Sequence, residues 1–225
     1  MRQIVLDTET TGLDANQGHK VIEIGALEVI NRRATGHTFH AYLNPDRTID
    51  AGAAAVHGIT NEFLTDKPRF AEVADAFLAF VKDAELIIHN APFDVGFLDA
   101  ELARLGHGSI KRVCSILDTL KLAKELHPGQ KNNLDALCKR YEVDNSGRSY
   151  HGALLDAQLL SEVYLAMTRG QETLIIETRH TPRETMDINL RRGPLRVLSA
   201  TADETQAHVR YLQELSAQSG ETVSW

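Results

Sequence analysis

Residues 3–9, which read Gln-Ile-Val-Leu-Asp-Thr-Glu, give the strongest local indication of the fold. This stretch is short, apolar and partly β-branched until two carboxylates follow, which predicts a strand. Alternate residues of a strand point to the same face, so Val5 shares a face with Asp7 and Glu9. Apolar residues occupy the other face as well, and a strand that is apolar on both faces is typical of the centre of a sheet. The sequence therefore predicts two neighbouring acidic side chains at the end of a central strand.

The hydrophobic periodicity of the residues after this strand predicts a mixed sheet with helices on its faces. Three antiparallel strands come first, at Gln3–Asp7, Lys20–Ile30 and Thr35–Leu43. A β-α-β pattern follows, with a helix at Phe70–Lys82, a strand at Leu86–His89, a helix from Pro92 to about Leu105 and a strand at Val113–Ile116. The last predicted helices are Thr119–Leu126, Asn133–Tyr141 and Gly152–Met167. This order of elements indicates an α/β fold.

Composition excludes several classes of protein. The 225 residues include 24 Lys and Arg against 31 Asp and Glu, a formal net charge of −7, and 43 % are hydrophobic, which is a globular balance. No apolar run approaches the ~18–20 residues of a membrane span, and Asp7 interrupts the N-terminal apolar run too early for a signal peptide. Cys114 and Cys138 lie far apart, which argues against a structural zinc site and favours a reducing cytoplasm. The acidic balance argues against a strong grip on nucleic acid.

A change in composition at Gly170 predicts the domain organisation. The predicted parts are a folded domain at 1–170, a linker region at 171–194 and a C-terminal segment at 195–225. The C-terminal segment has a helical pattern from about Asp203, but it contains too few apolar residues to form a core of its own.

Two further acids occupy the apolar faces of predicted helices. Asp94 lies on a stripe with Phe97, Leu98, Leu102 and Leu105, and Asp156 on one with Leu160, Val163, Tyr164 and Met167. An unpaired carboxylate on a buried face is costly. An ordinary structural explanation stays open for each residue taken alone. These explanations are a solvated strand end for Asp7 and Glu9, a half-exposed first-turn position for Asp94, and a surface or capping role for His151.

Taken together, the acids predict a metal site. Four carboxylates brought together are stable only with cations among them, and hard oxygen ligands favour Mg²⁺ or Mn²⁺. A pair of such ions ~4 Å apart can hold the attacking and leaving oxygens of a phosphoryl displacement. His151 could deprotonate the attacking water, because the pKa of imidazole lies near neutrality. The residues therefore indicate a metal-assisted phosphodiester hydrolase.

The same residues resemble a known family. The motifs are Asp7-x-Glu9, Asn90-x-x-Phe93-Asp94 and His151-x-x-x-x-Asp156. In this order they resemble the three motifs of the DEDD exonuclease superfamily, in its histidine branch. The resemblance implies a ribonuclease H-like fold and two bound Mg²⁺ or Mn²⁺ ions.

The resemblance also implies a role for each residue. Asp7, Glu9 and Asp156 would hold the first metal ion, Asp7 and Asp94 the second, and His151 would be the general base. Thr10 and Leu13 would line the pocket for the 3′-terminal nucleotide, with His57 and Phe93 near the substrate strand. Ordinary core packing is the alternative for Leu13 and Phe93.

Longer segments resemble the proofreading subunits of bacterial replicative DNA polymerases over roughly residues 3–170. These segments are 7–13, 21–26, 56–60, 134–141 and 151–167. The resemblance implies a 3′→5′ DNA exonuclease of the cytoplasmic, nucleoid-associated replisome that acts on single-stranded or frayed 3′ ends. It also implies docking of residues 195–225 on the polymerase catalytic subunit, and it leaves open a small accessory subunit.

Residues 171–176 resemble a sliding-clamp motif, in which a Gln is followed by apolar residues. The predicted clamp-binding residues are Gln171, Leu174, Ile175 and Ile176. The family usually has an aromatic residue at the end of this motif, so Ile175 and Ile176 are a departure from it. A short helical or strand extension is the alternative.

Three other functions are less well supported by the sequence. A stand-alone exonuclease of the same family could act on RNA ends or short oligonucleotides, but it would need neither a clamp-like peptide nor an apolar C-terminal segment. An inactive scaffold would have no reason to keep buried acids. A dinucleotide-binding fold is disfavoured because the turn after the first strand lacks a G-x-G-x-x-G motif.

Overall fold

A five-stranded mixed sheet organises the protein. The computed structural model describes residues 1–148, 150–169 and 199–219. The strands are β1 (Arg2–Thr10), β2 (Val21–Ile30), β3 (Arg33–Tyr42), β4 (Glu85–Ile88) and β5 (Ser115–Asp118). Their order in the sheet is β3-β2-β1-β4-β5. The pairs β1–β2 and β2–β3 are antiparallel, whereas β1–β4 and β4–β5 are parallel. The predicted α/β fold is confirmed.

Helices cover the sheet. The α-helices before residue 170 are α1 (Ala51–His57), α2 (Asn61–Leu64), α3 (Phe70–Val81), α4 (Ala91–Arg104), α5 (Thr119–Leu126), α6 (Leu134–Tyr141) and α7 (Ala153–Met167). The helices α1 and α2 were not predicted from the sequence, because each is short and each buries one side chain, His57 in α1 and Leu64 in α2. Helices with so few residues and one buried side chain do not show a hydrophobic period that could be recognised in the sequence.

The prediction for the last strand, Val113–Ile116, was wrong by two residues. Val113 caps a short 3₁₀ helix at Ile110–Arg112, and its carbonyl accepts a hydrogen bond from the amide of Asp83. The ladder with β4 then begins at Ser115 and ends by pairing Ile88 with Asp118. The register therefore follows the parallel pairing and not the apolar run.

The central position of β1 follows from its two apolar faces. Ile4 and Leu6 lie in one core cluster, with residues of α3 and α4, and Val5 lies in a second, with residues of α6 and α7. All three side chains are fully buried. Burial of this kind contributes about 1.5–3 kcal/mol per side chain. The strand is thus fixed in the middle of the molecule, and its carboxyl end is fixed with it.

The described residues after 198 form a separate unit. It is the helix α8 (Ala202–Ser219), which is capped by reciprocal hydrogen bonds between Thr201 and Glu204 and has no buried residue. The predicted clamp-binding residues Gln171, Leu174, Ile175 and Ile176 lie outside the described residues. The division into 1–170, 171–194 and 195–225 stays a prediction. Across the described ranges, no helix is both long and apolar enough to cross a membrane.

Candidate active site

The carboxyl ends of β1 and β4 bring the first three acids together. These strands are parallel neighbours, so their ends meet at one edge of the sheet. Asp94 follows β4 in the first turn of α4 and accepts hydrogen bonds from Thr8, at 3.1 Å from the backbone amide and 2.7 Å from Oγ1. Its exposed fraction is 3 %, so the half-exposed alternative was wrong. The turn is tight because Asn90 adopts a left-handed conformation with φ 68°.

The fourth acid, Asp156, lies on α7, and residues of β2 fix the position of that helix. A Cβ atom on Gly25 would lie 2.1 Å from the backbone nitrogen of Leu154, so a side chain there would push α7 away. Glu23 accepts a hydrogen bond from the amide of Ala153 at 3.1 Å. Gly25 pairs with Asp7 across the β1–β2 ladder. This close approach places Asp156, also 3 % exposed, beside the end of β1.

Crowding and burial disfavour the charged forms of Asp7, Glu9 and Asp94. Burial, then the charges of Asp94 and Glu9, raises the pKa of Asp7 well above its usual value. Burial, followed by the charge of Asp156, raises the pKa of Glu9 to about 8. Burial also raises the pKa of Asp94 to about 7, against the opposing hydrogen bonds from Thr8. The cluster is therefore short of positive charge.

The donor set fits a divalent metal ion. Glu9, His151 and Asp156 each present one ligand atom, and these atoms lie within 4.8 Å of one another. Carboxylate oxygens that repel one another are stabilised when a hard cation binds between them. The predicted metal ligands Asp7, Glu9, Asp94 and Asp156 all line one cavity of about 300 Å³.

His151 also lines this cavity, just before α7 begins. Its amide donates to the carbonyl of Val56 in α1 at 3.1 Å, and the ring of neighbouring Tyr150 lies against Gly58. A Cβ on Gly58, where φ is +70°, would lie 3.0 Å from Cγ of Tyr150. The capping alternative was wrong, because Gly152 occupies the cap position and the His151 side chain faces Asp156.

Arg148 is the site residue that the sequence analysis missed. Its guanidinium contacts both oxygens of Asp156, at 2.6 and 2.5 Å, and its side chain is 6 % exposed. The available signal was its place three residues before His151, together with the requirement that a cation offset the acids. No periodicity identifies such a residue in a loop.

The four predicted substrate-binding residues line a second cavity of about 450 Å³. They are Thr10, Leu13, His57 and Phe93. Leu13 is 86 % exposed, so core packing was the wrong alternative for it. Phe93 packs against the core, with its ring centroid 4.9 Å from that of Phe97, and lines the cavity as well. The two cavities share Thr8, Glu9 and Phe93, so the apolar cavity adjoins the acids.

A larger groove, of about 620 Å³, lies between α4 and β5. It is lined by none of the predicted site residues. Asp118 is the acid that lines it, and this carboxylate caps α5 by accepting from the amides of Leu120 and Lys121. All four predicted metal ligands instead line the cavity at the carboxyl ends of β1 and β4.

Comparison with known proteins identifies the family. Residues 4–164 match the family described as Exonuclease (RNase_T). The chain is 50 % identical over 236 residues to the DNA polymerase III subunit epsilon of Escherichia coli K12, covering 100 % of this chain and 97 % of the relative. The chain belongs to this exonuclease family. The corresponding subunit of Haemophilus influenzae is 46 % identical over 241 residues, covering 100 % and 94 % of the two chains.

Solved structures of exonucleases are similar to this chain and agree with the family assignment. Exonuclease X in complex with 5′ overhanging duplex DNA has a TM-score of 0.61 and 26 % identity, covering 75 % of this chain and 92 % of that one. An E. coli exonuclease I complex with single-stranded DNA has a TM-score of 0.67, 18 % identity and coverages of 76 % and 41 %, which supports the fold. The prediction of an enzyme is confirmed, and the predicted dependence on a divalent metal agrees with the family and with the group formed by Glu9, His151 and Asp156.

The raised pKa values of the acids predict how the stability of the metal-free exonuclease depends on pH. Glu9 and Asp94 ionise near pH 4 in the unfolded chain but near 8 and 7 when folded, so the folded state binds more protons between these limits. Stability is therefore greatest below about pH 4 to 5 with respect to these groups and falls as the pH rises towards 8, by about 1.4 kcal/mol per unit of pKa difference.

Thermal unfolding in EDTA from pH 5 to 8.5 would measure this slope. The E9Q variant should have a shallower slope because its side chain does not titrate, and Mg²⁺ should flatten the slope for the wild type by favouring the ionised acids. Stability of the wild type that rises with pH over this range would contradict the prediction.

Proposed function

We propose that this exonuclease removes mononucleotides from 3′ DNA ends and proofreads for a replicative DNA polymerase. The observation that carries the proposal is the apolar cavity of about 450 Å³ that adjoins the four-carboxylate cluster. A terminal nucleotide held in this cavity would have its phosphodiester next to Glu9, which lines both cavities.

Each acid has a proposed role. Asp7, Glu9 and Asp156 would hold one Mg²⁺ or Mn²⁺ ion, and Asp7 with Asp94 would hold the second. When bound, the ions supply Lewis-acid stabilisation of the attacking and leaving oxygens. His151 takes the proton from the attacking water, and its exposed edge leaves room for that water.

Thr10, Leu13, His57 and Phe93 would hold and orient the terminal nucleotide. Single-stranded and mismatched ends are the favoured substrates, because the end must leave its duplex to enter the cavity and the cost of unpairing is then small.

Partners would deliver the substrate. A net charge of −7 gives little sequence-independent grip on DNA, so tethering would have to raise the local concentration of 3′ ends. The relatives are named as DNA polymerase III subunits. We therefore propose that residues 195–225 bind the polymerase catalytic subunit, that residues 171–176 bind a sliding clamp, and that the protein works in the cytoplasmic replisome of a bacterium. Binding of a small accessory subunit is a further candidate interaction.

A cleavage assay tests the activity. The purified chain with Mg²⁺ is given 5′-labelled primers with matched, mismatched and single-stranded 3′ ends, and the same strands as RNA, with EDTA as the control. Stepwise shortening that is fastest on mismatched and single-stranded DNA supports the proposal. An intact mismatched primer contradicts it, and preferential shortening of RNA would favour the stand-alone alternative.

Leu13 offers a direct test of the nucleotide cavity. Because Leu13 is 86 % exposed, L13A should change the free energy of unfolding by no more than about 0.5 kcal/mol. It removes apolar surface that the terminal nucleotide would cover, so KM should rise about tenfold with a smaller change in kcat. Steady-state kinetics on single-stranded DNA, with L105A as a control outside both cavities, would measure this effect. An unchanged KM would remove Leu13 from the substrate site.

A further inference from the structure

Arg148 makes the most extensive set of charged contacts in the candidate site. Nε and Nη2 donate to Oδ1 and Oδ2 of Asp156 at 2.6 and 2.5 Å. Nη1 donates to Asp135 Oδ1 at 2.5 Å, and Nη2 donates to His151 Nδ1 at 2.8 Å. Four of the five guanidinium N–H donors are therefore used: two on an expected metal ligand, one on the expected base and one on an acid that lines neither site cavity.

The charge balance of the cavity depends on this side chain. Among the described residues that line the two site cavities, Arg148 is the only lysine or arginine. Without a bound metal ion, its guanidinium is the cation closest to Asp156. An arginine keeps its charge at any ordinary pH, so it can balance part of the acidic cluster permanently.

The contact with His151 has a chemical consequence. A guanidinium has donors but no acceptor, so Nδ1 of His151 must accept, and the proton of the neutral ring then lies on Nε2. Neither ring nitrogen then has a free lone pair. While Arg148 holds this position, the guanidinium occupies Nδ1 of His151.

We propose that Arg148 is the resident counter-ion of the metal-free site and that metal binding displaces it from Asp156 and His151. A divalent ion at Asp156 and the guanidinium would repel each other at close range. Asp135 is 57 % exposed at the side chain and also accepts from Asn145 at 3.3 Å, so it can keep hold of Arg148 after the displacement. The displacement would also leave Nδ1 of His151 without the Arg148 donor. This inference rests on the proposed function of the site.

A variant without the guanidinium tests whether Arg148 competes with the metal ion for Asp156. The R148M variant keeps most of the length of the side chain but loses its charge, so Mn²⁺ should bind roughly tenfold more tightly than to the wild type. The melting temperature in EDTA should fall, because Asp156 is left buried without its partner, and the gain on adding Mn²⁺ should exceed that of the wild type. R140M is a matched control, because Arg140 bonds to Asn132 and to the carbonyl of Lys131 and lines neither site cavity.

Titration calorimetry with Mn²⁺ alone and thermal unfolding with and without Mn²⁺ provide the readouts. Equal or weaker Mn²⁺ binding by R148M would overturn the proposal, as would the same effects in R140M. If R148M does not fold, R148K takes its place: a compact ammonium cannot span both oxygens of Asp156, so Mn²⁺ binding should again tighten, and unchanged or weaker binding overturns the proposal. Cleavage of DNA by the wild type with Mn²⁺, measured in parallel, tests the proposed function independently of the Arg148 comparison.

Discussion

Replacing Asp7 by asparagine is expected to lower kcat about 10³-fold or more, while the metal-free protein becomes more stable. Asp7 is the acid assigned to both metal ions, so its loss would remove one ligand from each. The neutral amide has nearly the same shape and relieves the repulsion from Asp94 and Glu9 that helps to raise the pKa of Asp7. Activity and stability should therefore change in opposite directions.

Primer cleavage with saturating Mg²⁺ and thermal unfolding in EDTA at pH 8 would measure the two changes. D99N is a suitable control, because Asp99 is an aspartate of α4 that accepts hydrogen bonds from Ser109 and the amide of Ile110, away from the acid cluster. D99N should lose stability and retain cleavage. Retention of more than a tenth of wild-type kcat by D7N would show that Asp7 is not shared by the reacting metal ions.

Replacing His151 by glutamine is expected to lower kcat by about 10²- to 10⁴-fold, the usual range for loss of a general base. Nδ1 of His151 also lies 3.3 Å from Asp156, and together with Glu9 these side chains could surround an ion. The residue could therefore be a base or a ligand. If His151 is only a base, H151Q should bind Mn²⁺ with unchanged affinity. If His151 is a ligand, H151Q should bind Mn²⁺ more weakly.

Calorimetric titration of H151Q with Mn²⁺, beside its cleavage kinetics, would distinguish the two roles. The pH profile gives a second criterion, because the acid limb that the base contributes to kcat in the wild type should disappear in the variant. H107Q is the control, since His107 is exposed and lies outside both site cavities. Mn²⁺ binding that weakens in parallel with kcat would assign His151 as a ligand.

The local patterns in the sequence predicted the central elements. β1 was predictable because three consecutive buried residues, Ile4, Val5 and Leu6, require cover on both faces of the sheet. The burial of Asp94 and Asp156 was predictable because each lies on the apolar stripe of its helix, and the helical period carries an acid to the core with its neighbours. For both acids, periodicity was the stronger guide than the usual exposure of carboxylates.

Other features depended on contacts between distant segments. Gly25 carries no local signal, yet its missing side chain lets α7 approach β2 and so sets the position of Asp156. The short helix α1 has almost no periodicity, yet its Val56 carbonyl holds the backbone of His151. The strand at Ser115–Asp118 was misplaced because its register is fixed by pairing with β4.

The acidic sequence by itself determined the fold class, the family and the set of four carboxylates, because these depend on hydrophobic period and on residue types at short spacings. Only the tertiary structure decided which cation balances those carboxylates. Arg148 precedes His151 in the sequence and Asp156 follows it, while Asp135, the other partner of Arg148, lies on a different helix, α6. A buried ion pair is a matter of distance and desolvation, which spacing in the chain does not encode.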